Sequence, residues 1–196
     1  MVIASLLISN AYLLGSFSSA VIVCWLMGLP DPRTQGSKNP GATNVLRHGG
    51  KKAAIITLCL DILKGVVAVL IAKLVTTSTM ILAGVVFAVF LGHLYPIFFK
   101  FRGGKGVATA FGALTMLVWP VGLFALAMWL FTAFLFRYSS LAALSAAVSA
   151  PIAMYWFSGE SDYVMMTCLL SVLMMWRHRS NMLNLIKGEE DKIGVG

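Results

Sequence analysis

Long apolar stretches, bounded by short clusters of charged or turn-forming residues, follow one another along the chain. A helix needs about 20 apolar residues to cross the hydrocarbon core of a membrane. We therefore predict an all-α integral membrane protein, with a single transmembrane domain that covers residues 1–196. The predicted transmembrane helices are seven, at residues 3–28, 53–75, 80–99, 107–119, 120–136, 140–157 and 163–176.

The boundary between the fourth and fifth predicted spans is weak, because only Trp119-Pro120 separates them. Fusing the two into one long bent element would give six spans. The fusion would also place the basic residues of 102–105 and Arg137 on opposite sides of the membrane. The seven-span arrangement keeps them on one side, and we therefore prefer it.

Composition supports a membrane protein. Of the 196 residues, 59% are hydrophobic and 11% are charged, whereas about 25% of the residues in soluble domains are charged. No Lys or Arg precedes Arg33, so the first apolar run lacks the basic start of a cleaved signal peptide and is expected to remain as a span.

Basic residues collect on one side of the predicted membrane. Thirteen of the 15 Lys and Arg residues fall there, and the positive-inside rule makes that side cytoplasmic. The N-terminus is then periplasmic and the C-terminus cytoplasmic, in a bacterial inner membrane. The thirteen residues are Arg33, Lys38, Arg47, Lys51, Lys52, Lys100, Arg102, Lys105, Arg137, Arg177, Arg179, Lys187 and Lys192.

The first cytoplasmic loop is dense in small hydrogen-bonding residues. Its glycines and proline favour tight turns, and an arginine adds a forked cation. Such a loop binds the polar part of a substrate or merely attracts anionic lipid headgroups, and the loop alone does not decide between these. Its candidate residues are Ser37, Asn39, Thr43, Asn44 and Arg47.

The second cytoplasmic loop places three glycines around Lys105, directly before a predicted helix. Glycine lets backbone N–H groups converge on an anion, and the helix N-terminus adds partial positive charge. We predict a phosphate cradle at Gly103, Gly104, Lys105 and Gly106, with a flexible turn as the alternative. The pattern is not a Walker A loop, because Phe99 and Gly106 stand where Gly and Ser or Thr are needed.

The last predicted span ends in a polar cluster that contains His178 and Asn181. They are three residues apart, so on a helix they would share a face. A charged cluster after a final span often serves only as an anchor, but these two residues exceed what anchoring requires. Within the second span, Asp61 and Lys64 are also three apart, and we predict a buried ion pair there rather than direct catalysis.

Carboxylates are scarce on the cytoplasmic side. Asp31 is the one acid of the three loops there, and the tail has acids only beyond Lys187. Without an acidic cluster for Mg²⁺, we expect no metal and no cofactor. No Asp stands five residues after His48, His93 or His178, which excludes the common His/Asp acyltransferase arrangement. Cations, amides and hydroxyls without acids indicate a site that holds phosphate without a metal.

Three blocks of sequence together resemble one family. They read GS-x-N-x-GATNV at 36–45, GH at 92–93 with GGKGVAT at 103–109, and RH-x-x-N at 177–181 with GE at 188–189. In order and spacing they are similar to the acyl-phosphate-dependent glycerol-3-phosphate acyltransferases, the PlsY family. The resemblance covers nearly the whole chain.

The resemblance implies that a fatty acyl group passes from acyl phosphate to position 1 of glycerol 3-phosphate at the cytoplasmic face, giving lysophosphatidate and phosphate. The implied partners are these two substrates, membrane lipids and an upstream enzyme that forms acyl phosphate, but no nucleic acid. Neither acyl-CoA nor acyl carrier protein is expected as donor. Carried over by motif, the site residues are Ser37, Arg47, Lys105, His178 and Asn181. Ser140 aligns less uniquely, because Ser139 is adjacent.

On this hypothesis, Arg47, Lys105 and the glycine amides neutralise phosphate. Asn181, Ser37 or backbone N–H groups stabilise the tetrahedral oxyanion. Either His178 or a substrate phosphate is the general base, and both alternatives stay open. In the second, His178 donates a hydrogen bond that orients the phosphate. Nearby cations disfavour protonation of His178 and so favour this orienting role; they are Arg177, Arg179 and Lys105.

Two other functions fit the sequence less well. A small transporter or anion channel needs polar groups at the midplane or half-helices in paired repeats, whereas polarity here is confined to one face. A phospholipid-synthesis enzyme with a CDP-linked donor needs the acidic metal motif that the sequence lacks.

Overall fold

The computed structural model describes residues 1–194, and the chain forms two compact units, Met1–Leu117 and Val118–Gly196. Within the described residues every regular element is a helix, which confirms the all-α prediction. The first unit contains α1 (Val2–Gly15), α2 (Ser19–Leu26), α3 (Ala42–Val75), α4 (Thr79–Leu94), a 3₁₀ turn (Ile97–Phe99) and α5 (Val107–Leu117). The second contains α6 (Trp119–Phe136), α7 (Ser139–Ser158), α8 (Ser161–Arg177) and α9 (Arg179–Lys187).

The first predicted span, residues 3–28, is a bent pair of helices, α1 and α2, and not one continuous helix. α1 and α2 are bent by 43° across a short break. Lys64 of α3 donates a hydrogen bond from Nζ to the carbonyl oxygen of Phe17 within the break, at 3.0 Å. A carbonyl released from a helix inside a membrane needs such a partner, because lipid supplies none. The break is therefore stabilised by a residue from another helix.

α3 is longer than the predicted span at 53–75, since it begins at Ala42 and takes in part of the first loop. A kink follows at Gly50, whose φ of 84° lies in the region that glycine adopts without steric cost. The basic residues around the kink concealed this helical segment in the hydrophobicity pattern. The segment is important because it carries several of the candidate residues.

Glycines let α3 and α5 pack backbone against backbone. A Cβ on Gly65 of α3 would overlap the carbonyl oxygen of Thr109, and a Cβ on Gly112 of α5 would overlap that of Ile62. Small residues at such crossings are the usual means of close helix packing in membranes. The contact holds the start of α5 directly against the middle of α3.

Four helical segments within residues 1–194 are long and apolar enough to cross a membrane, and the bent α1–α2 pair makes a fifth. The four are α3, α4 with its following turn, α6 and α7. The 11 residues of α5 extend only about 16 Å, roughly half of a hydrocarbon core. α5 and α6 are separate helices, because Val118 between them is extended.

In the second unit, α7 packs against both α6 and α8. Its buried face consists mostly of alanines, which allow close approach. Ser171 of α8 donates to the carbonyl oxygen of Ala147 in α7, at 2.5 Å. The remaining candidate residues lie at the start of α7 and at the end of α8.

Candidate active site

Asn44 organises the first loop. It is 2% exposed, and its Nδ2 donates to the carbonyl oxygens of Pro32 at 2.8 Å and Gln35 at 3.1 Å. Its Oδ1 accepts a hydrogen bond from the backbone N–H of Ser37 at 3.2 Å. The predicted substrate contact of Asn44 stays a prediction, but the structure gives this residue a further role, because its amide shapes the loop that presents Ser37.

The other candidates of the first loop lie at its surface. Ser37, Thr43 and Arg47 are exposed and Asn39 is half-buried. Thr43 and Arg47 belong to the first turns of α3, and residues four apart in a helix share a face. A hydroxyl and a guanidinium are thus presented side by side, next to the turn that carries Ser37.

Asp31 and Arg33 join the two loops of the first unit. Arg33 Nη2 lies 2.7 Å from Asp31 Oδ2, and the hydrogen bonds from Arg33 hold the pKa of the Asp31 carboxyl below its ordinary value. Arg33 Nη1 also donates to the carbonyl oxygen of Phe99, at 3.4 Å. Phe99 belongs to the turn just before the glycine loop, so this contact brings the two loops together at one end of the unit.

The glycine loop, residues 103–106, lies directly on the end of α4. The N–H of Gly104 donates to the carbonyl oxygen of His93 at 3.1 Å. A Cβ on Gly103 would overlap that same carbonyl oxygen, and a Cβ on Gly104 would overlap the imidazole of His93. α5 begins at Val107, which confirms the predicted helix start immediately after Lys105. Glycine is therefore required at positions 103 and 104, because a side chain at either would collide with the end of α4.

A buried polar cluster lies beneath the glycine loop. Lys64 Nζ is 2.9 Å from Asp61 Oδ1, which confirms the predicted ion pair. His93 Nδ1 lies 3.5 Å from the same carboxylate oxygen and 3.2 Å from Thr109 Oγ1. The sequence interpretation did not connect His93 or Thr109 with this pair. Their proximity depends on the packing of three helices, which no local pattern reveals.

In the second unit, His178 lies between two helices. It ends α8 and precedes α9, so the expectation that it shares a continuous helix with Asn181 is wrong. The side chain is 2% exposed, and Nδ1 is 2.8 Å from the carbonyl oxygen of Met174. A carbonyl oxygen only accepts, so Nδ1 carries the hydrogen. In the neutral ring Nε2 then bears the lone pair.

Asn181 is held by a carboxylate. Its Nδ2 donates to Glu190 Oε1 at 2.7 Å, which corrects the expectation of a site without nearby acids. Gly188, with φ of 73°, ends α9 and turns the chain back toward its own first turn. Two signals in the sequence pointed this way: the apolar spacing of residues 182–186 predicts a helix, and the following glycine predicts its end.

The start of α7 lies beside the same tail. The N–H of Ile193 donates to the carbonyl oxygen of Arg137 at 2.6 Å, and Arg137 Nη2 donates to that of Ile193 at 3.1 Å. Ser139 opens α7, and Ser140 follows it with 5% of its surface exposed. Ser140 Oγ has no hydrogen-bond partner among residues 1–194. Of the two serines, Ser140 is therefore the better candidate for a ligand contact.

In the part of the chain that the structure describes, no three His, Cys, Asp or Glu side chains are grouped so that they could hold a metal ion. Three acids that the structure places near candidate residues are each paired: Asp31 with Arg33, Asp61 with Lys64 and Glu190 with Asn181.

Comparison with known proteins identifies the family. The model of the glycerol-3-phosphate acyltransferase family matches residues 5–188. The chain belongs to this family. The glycerol-3-phosphate acyltransferase of Methylococcus capsulatus is 56% identical over 190 residues, covering 97% of this chain and 96% of that protein. That of Thioalkalivibrio sulfidiphilus is 56% identical over 194 residues, covering 99% and 96%.

Solved structures of PlsY, an integral membrane glycerol 3-phosphate acyltransferase, have the same fold as the enzyme. Its glycerol 3-phosphate form superposes with a TM-score of 0.93 at 39% identity, covering 97% of this chain and 96% of that one. Its lysophosphatidic acid form gives a TM-score of 0.91 at 38% identity, covering 97% and 95%. The enzyme is therefore a multi-pass membrane acyltransferase.

Proposed function

We propose that the enzyme transfers a fatty acyl group from acyl phosphate to position 1 of glycerol 3-phosphate, releasing lysophosphatidate and inorganic phosphate. The observation that supports this most is the glycine loop, which lies on α4 and presents Lys105 directly before the N-terminus of α5. Both substrates carry phosphate, and a loop of this kind binds phosphate through backbone N–H groups, a cation and the helix dipole.

Phosphate binding is assigned to groups of the first unit. Lys105 is half-buried and Arg47 is exposed, and both act as fixed charges. Ser37, Asn39 and Thr43 supply hydrogen bonds from the loop that Asn44 shapes. Cations and amides of this kind neutralise phosphate without a metal ion, so metal independence is part of the proposal. Ser140 of the second unit supplies a further hydroxyl.

The chemical step is assigned to groups of the second unit. Acyl phosphate is already activated, so the enzyme mainly has to orient the glycerol hydroxyl and stabilise the oxyanion. The hydroxyl oxygen bonds to the acyl carbon as its proton passes to His178 Nε2. The bond from that carbon to the phosphate oxygen then breaks, and phosphate leaves. Asn181, oriented by Glu190, donates to the oxyanion, with Ser37 as the other candidate.

His178 is preferred over a substrate phosphate as the base because of its hydrogen bond. The donation from Nδ1 to Met174 fixes which nitrogen bears the lone pair in the neutral ring. Nε2 of that ring accepts a proton and does not donate one, as a general base must. A neutral His178 that oriented a substrate phosphate would instead have to donate a hydrogen bond from Nε2.

The membrane arrangement is proposed on the distribution of charge. Seven spans, a periplasmic N-terminus and a cytoplasmic C-terminus would place thirteen of the 15 Lys and Arg residues in the cytoplasm. The candidate groups would then face the cytoplasmic side of the inner membrane, with residues 1–196 acting as one transmembrane acyltransferase domain. Glycerol 3-phosphate would arrive from the cytoplasm, and a separate enzyme would supply the acyl phosphate.

A donor comparison tests the proposed function. Purified enzyme receives labelled glycerol 3-phosphate with acyl phosphate, acyl-CoA or acyl carrier protein in parallel reactions, and lysophosphatidate is quantified. Product is expected with acyl phosphate only. Product formed from acyl-CoA alone would refute the proposed donor and leave the family assignment intact.

A further inference from the structure

The polar cluster beneath the glycine loop is not used by any step of the proposed reaction. Its charged members, Asp61 and Lys64, are almost completely buried, at 3% and 6% exposure, and His93 is 7% exposed. Burying charge within a membrane protein is costly, and such groups usually pair or serve function. The ion pair brings the two opposite charges together, and Lys64 also donates to the carbonyl oxygen of Phe17. The addition of His93 therefore calls for a further explanation.

His93 connects that cluster to the glycine loop. One ring nitrogen, Nδ1, faces Asp61 Oδ1 at 3.5 Å and Thr109 Oγ1 at 3.2 Å. The opposite edge of the ring, which carries Nε2, lies against Gly104, so closely that a Cβ there would overlap it. The backbone carbonyl of His93 also accepts the N–H of Gly104 at 3.1 Å. The imidazole thus stands between the buried carboxylate and the loop.

We infer that His93 and Asp61 are positioning residues for the phosphate-binding loop. Thr109 Oγ1 hydrogen-bonds to Nδ1 of the imidazole, and the Asp61 carboxylate lies beside the same nitrogen and attracts it electrostatically. The imidazole and the adjacent carbonyl in turn hold Gly104 in place. The position of Gly104 against the end of α4 determines where the backbone N–H groups of the loop lie and where the Lys105 side chain begins. The inference rests on the proposed function in one respect, namely that this loop binds the phosphate of glycerol 3-phosphate.

The expected effect is on binding more than on chemistry. A loop that binds phosphate equally in the ground and transition states affects KM and leaves kcat nearly unchanged. His93→Gln keeps a polar side chain and leaves the Asp61–Lys64 pair intact, whereas Asp61→Asn would leave Lys64 buried without its partner charge. His93→Gln is therefore the main variant, because it avoids the uncompensated charge that would impair folding.

Lys73 provides a matched control. Its Nζ ties α3 to the far end of α5, donating to the carbonyl oxygens of Met116 at 3.1 Å and Leu117 at 3.2 Å. It lies twelve residues beyond Asp61 in α3, which is about 18 Å along the helix. Lys73→Gln removes a hydrogen-bonded link between the same two helices, remote from the loop. It should lower the thermal midpoint and leave KM unchanged.

The test measures KM for glycerol 3-phosphate, kcat and the thermal midpoint of wild type, Lys73→Gln, His93→Gln, Lys105→Ala and the double variant. We expect His93→Gln to raise KM about 10-fold with kcat within about threefold, since small displacements of binding groups have effects of this size. In the Lys105→Ala background the same change should raise KM by less than about threefold, because residues acting through one element are not additive.

Several outcomes would overturn the inference. These are an unchanged KM in folded His93→Gln, a full additive rise in the double variant, or an equal rise in Lys73→Gln. His93→Asn is a second variant, because its amide nitrogen reaches the position of Nδ1 while the ring edge at Gly104 is lost. It should raise KM as His93→Gln does. A wild-type KM in His93→Asn would refute the contact between the ring and Gly104 and leave only the contact at Nδ1.

The inference and the proposed function fail separately. A wild-type enzyme that makes no lysophosphatidate from acyl phosphate refutes the proposed donor. Calorimetric titration with glycerol 3-phosphate then replaces KM as the measured quantity, and weaker binding to His93→Gln than to Lys73→Gln supports the inference. An active wild type with equal glycerol 3-phosphate affinity in both variants refutes the positioning role alone.

Discussion

Replacement of His178 separates its two ring nitrogens. In His178→Asn the side-chain amide occupies the position of Nδ1, so the hydrogen bond to the carbonyl oxygen of Met174, 2.8 Å in the wild type, is retained. The Nε2 position is then empty. In His178→Gln the amide reaches the Nε2 position, and the bond to Met174 is lost. The two variants therefore test the anchoring nitrogen and the reacting nitrogen independently.

The expected magnitudes differ by role. Loss of a general base reduces kcat by about 10²- to 10⁴-fold, which corresponds to roughly 2.7 to 5.4 kcal/mol of activation free energy. Loss of the hydrogen bond to Met174 lowers the free energy of unfolding by only about 0.5–1.5 kcal/mol. His178→Asn should therefore lose most of its activity with a nearly unchanged thermal midpoint, and His178→Gln should lose both activity and some stability.

The pH dependence of kcat identifies the base. If His178 is the base, its protonation inactivates the enzyme, and the acidic limb of the profile should disappear in His178→Asn. If a substrate phosphate is the base, His178→Asn should retain part of the rate, and the acidic limb should persist. A wild-type kcat in both folded variants would refute any chemical role for His178 and leave it as a residue that anchors the end of α8.

The remaining predictions concern the loop, the tail, the metal and the topology. Lys105→Ala should reduce kcat/KM about 10- to 150-fold, the value of one charge-assisted contact, and unchanged kinetics in the folded variant would remove the glycine loop from the mechanism. Glu190→Gln replaces the carboxylate that holds Asn181 with a neutral acceptor and should reduce kcat about 3- to 10-fold; equal rates would show that this hydrogen bond does not orient Asn181. Full activity is expected in excess EDTA, and a loss that Mg²⁺ restores would contradict metal independence. A cysteine introduced at Ser161 should react with an impermeant reagent from the periplasm and one at Ser37 only from the cytoplasm, whereas labelling of both from one side would overturn the proposed topology.

The helices and two local features of the first unit were predictable because their causes are local in the sequence. A backbone surrounded by lipid must satisfy its own hydrogen bonds, so an apolar run of sufficient length becomes a helix wherever it stands. The start of α5 after Lys105 and the Asp61–Lys64 pair follow from adjacent residues or from helical spacing. Both were confirmed, and the blocks that indicated the family are themselves short, continuous segments.

Other features depend on contacts between distant segments, and only the tertiary structure decided them. The first span breaks where Lys64, 47 residues further on, reaches the carbonyl oxygen of Phe17. His93 joins Asp61 because three helices converge, and Glu190 reaches Asn181 because Gly188 reverses the chain. A hydrogen bond or ion pair forms between groups that folding brings within about 3 Å, and sequence spacing specifies that distance only within a single helix or turn.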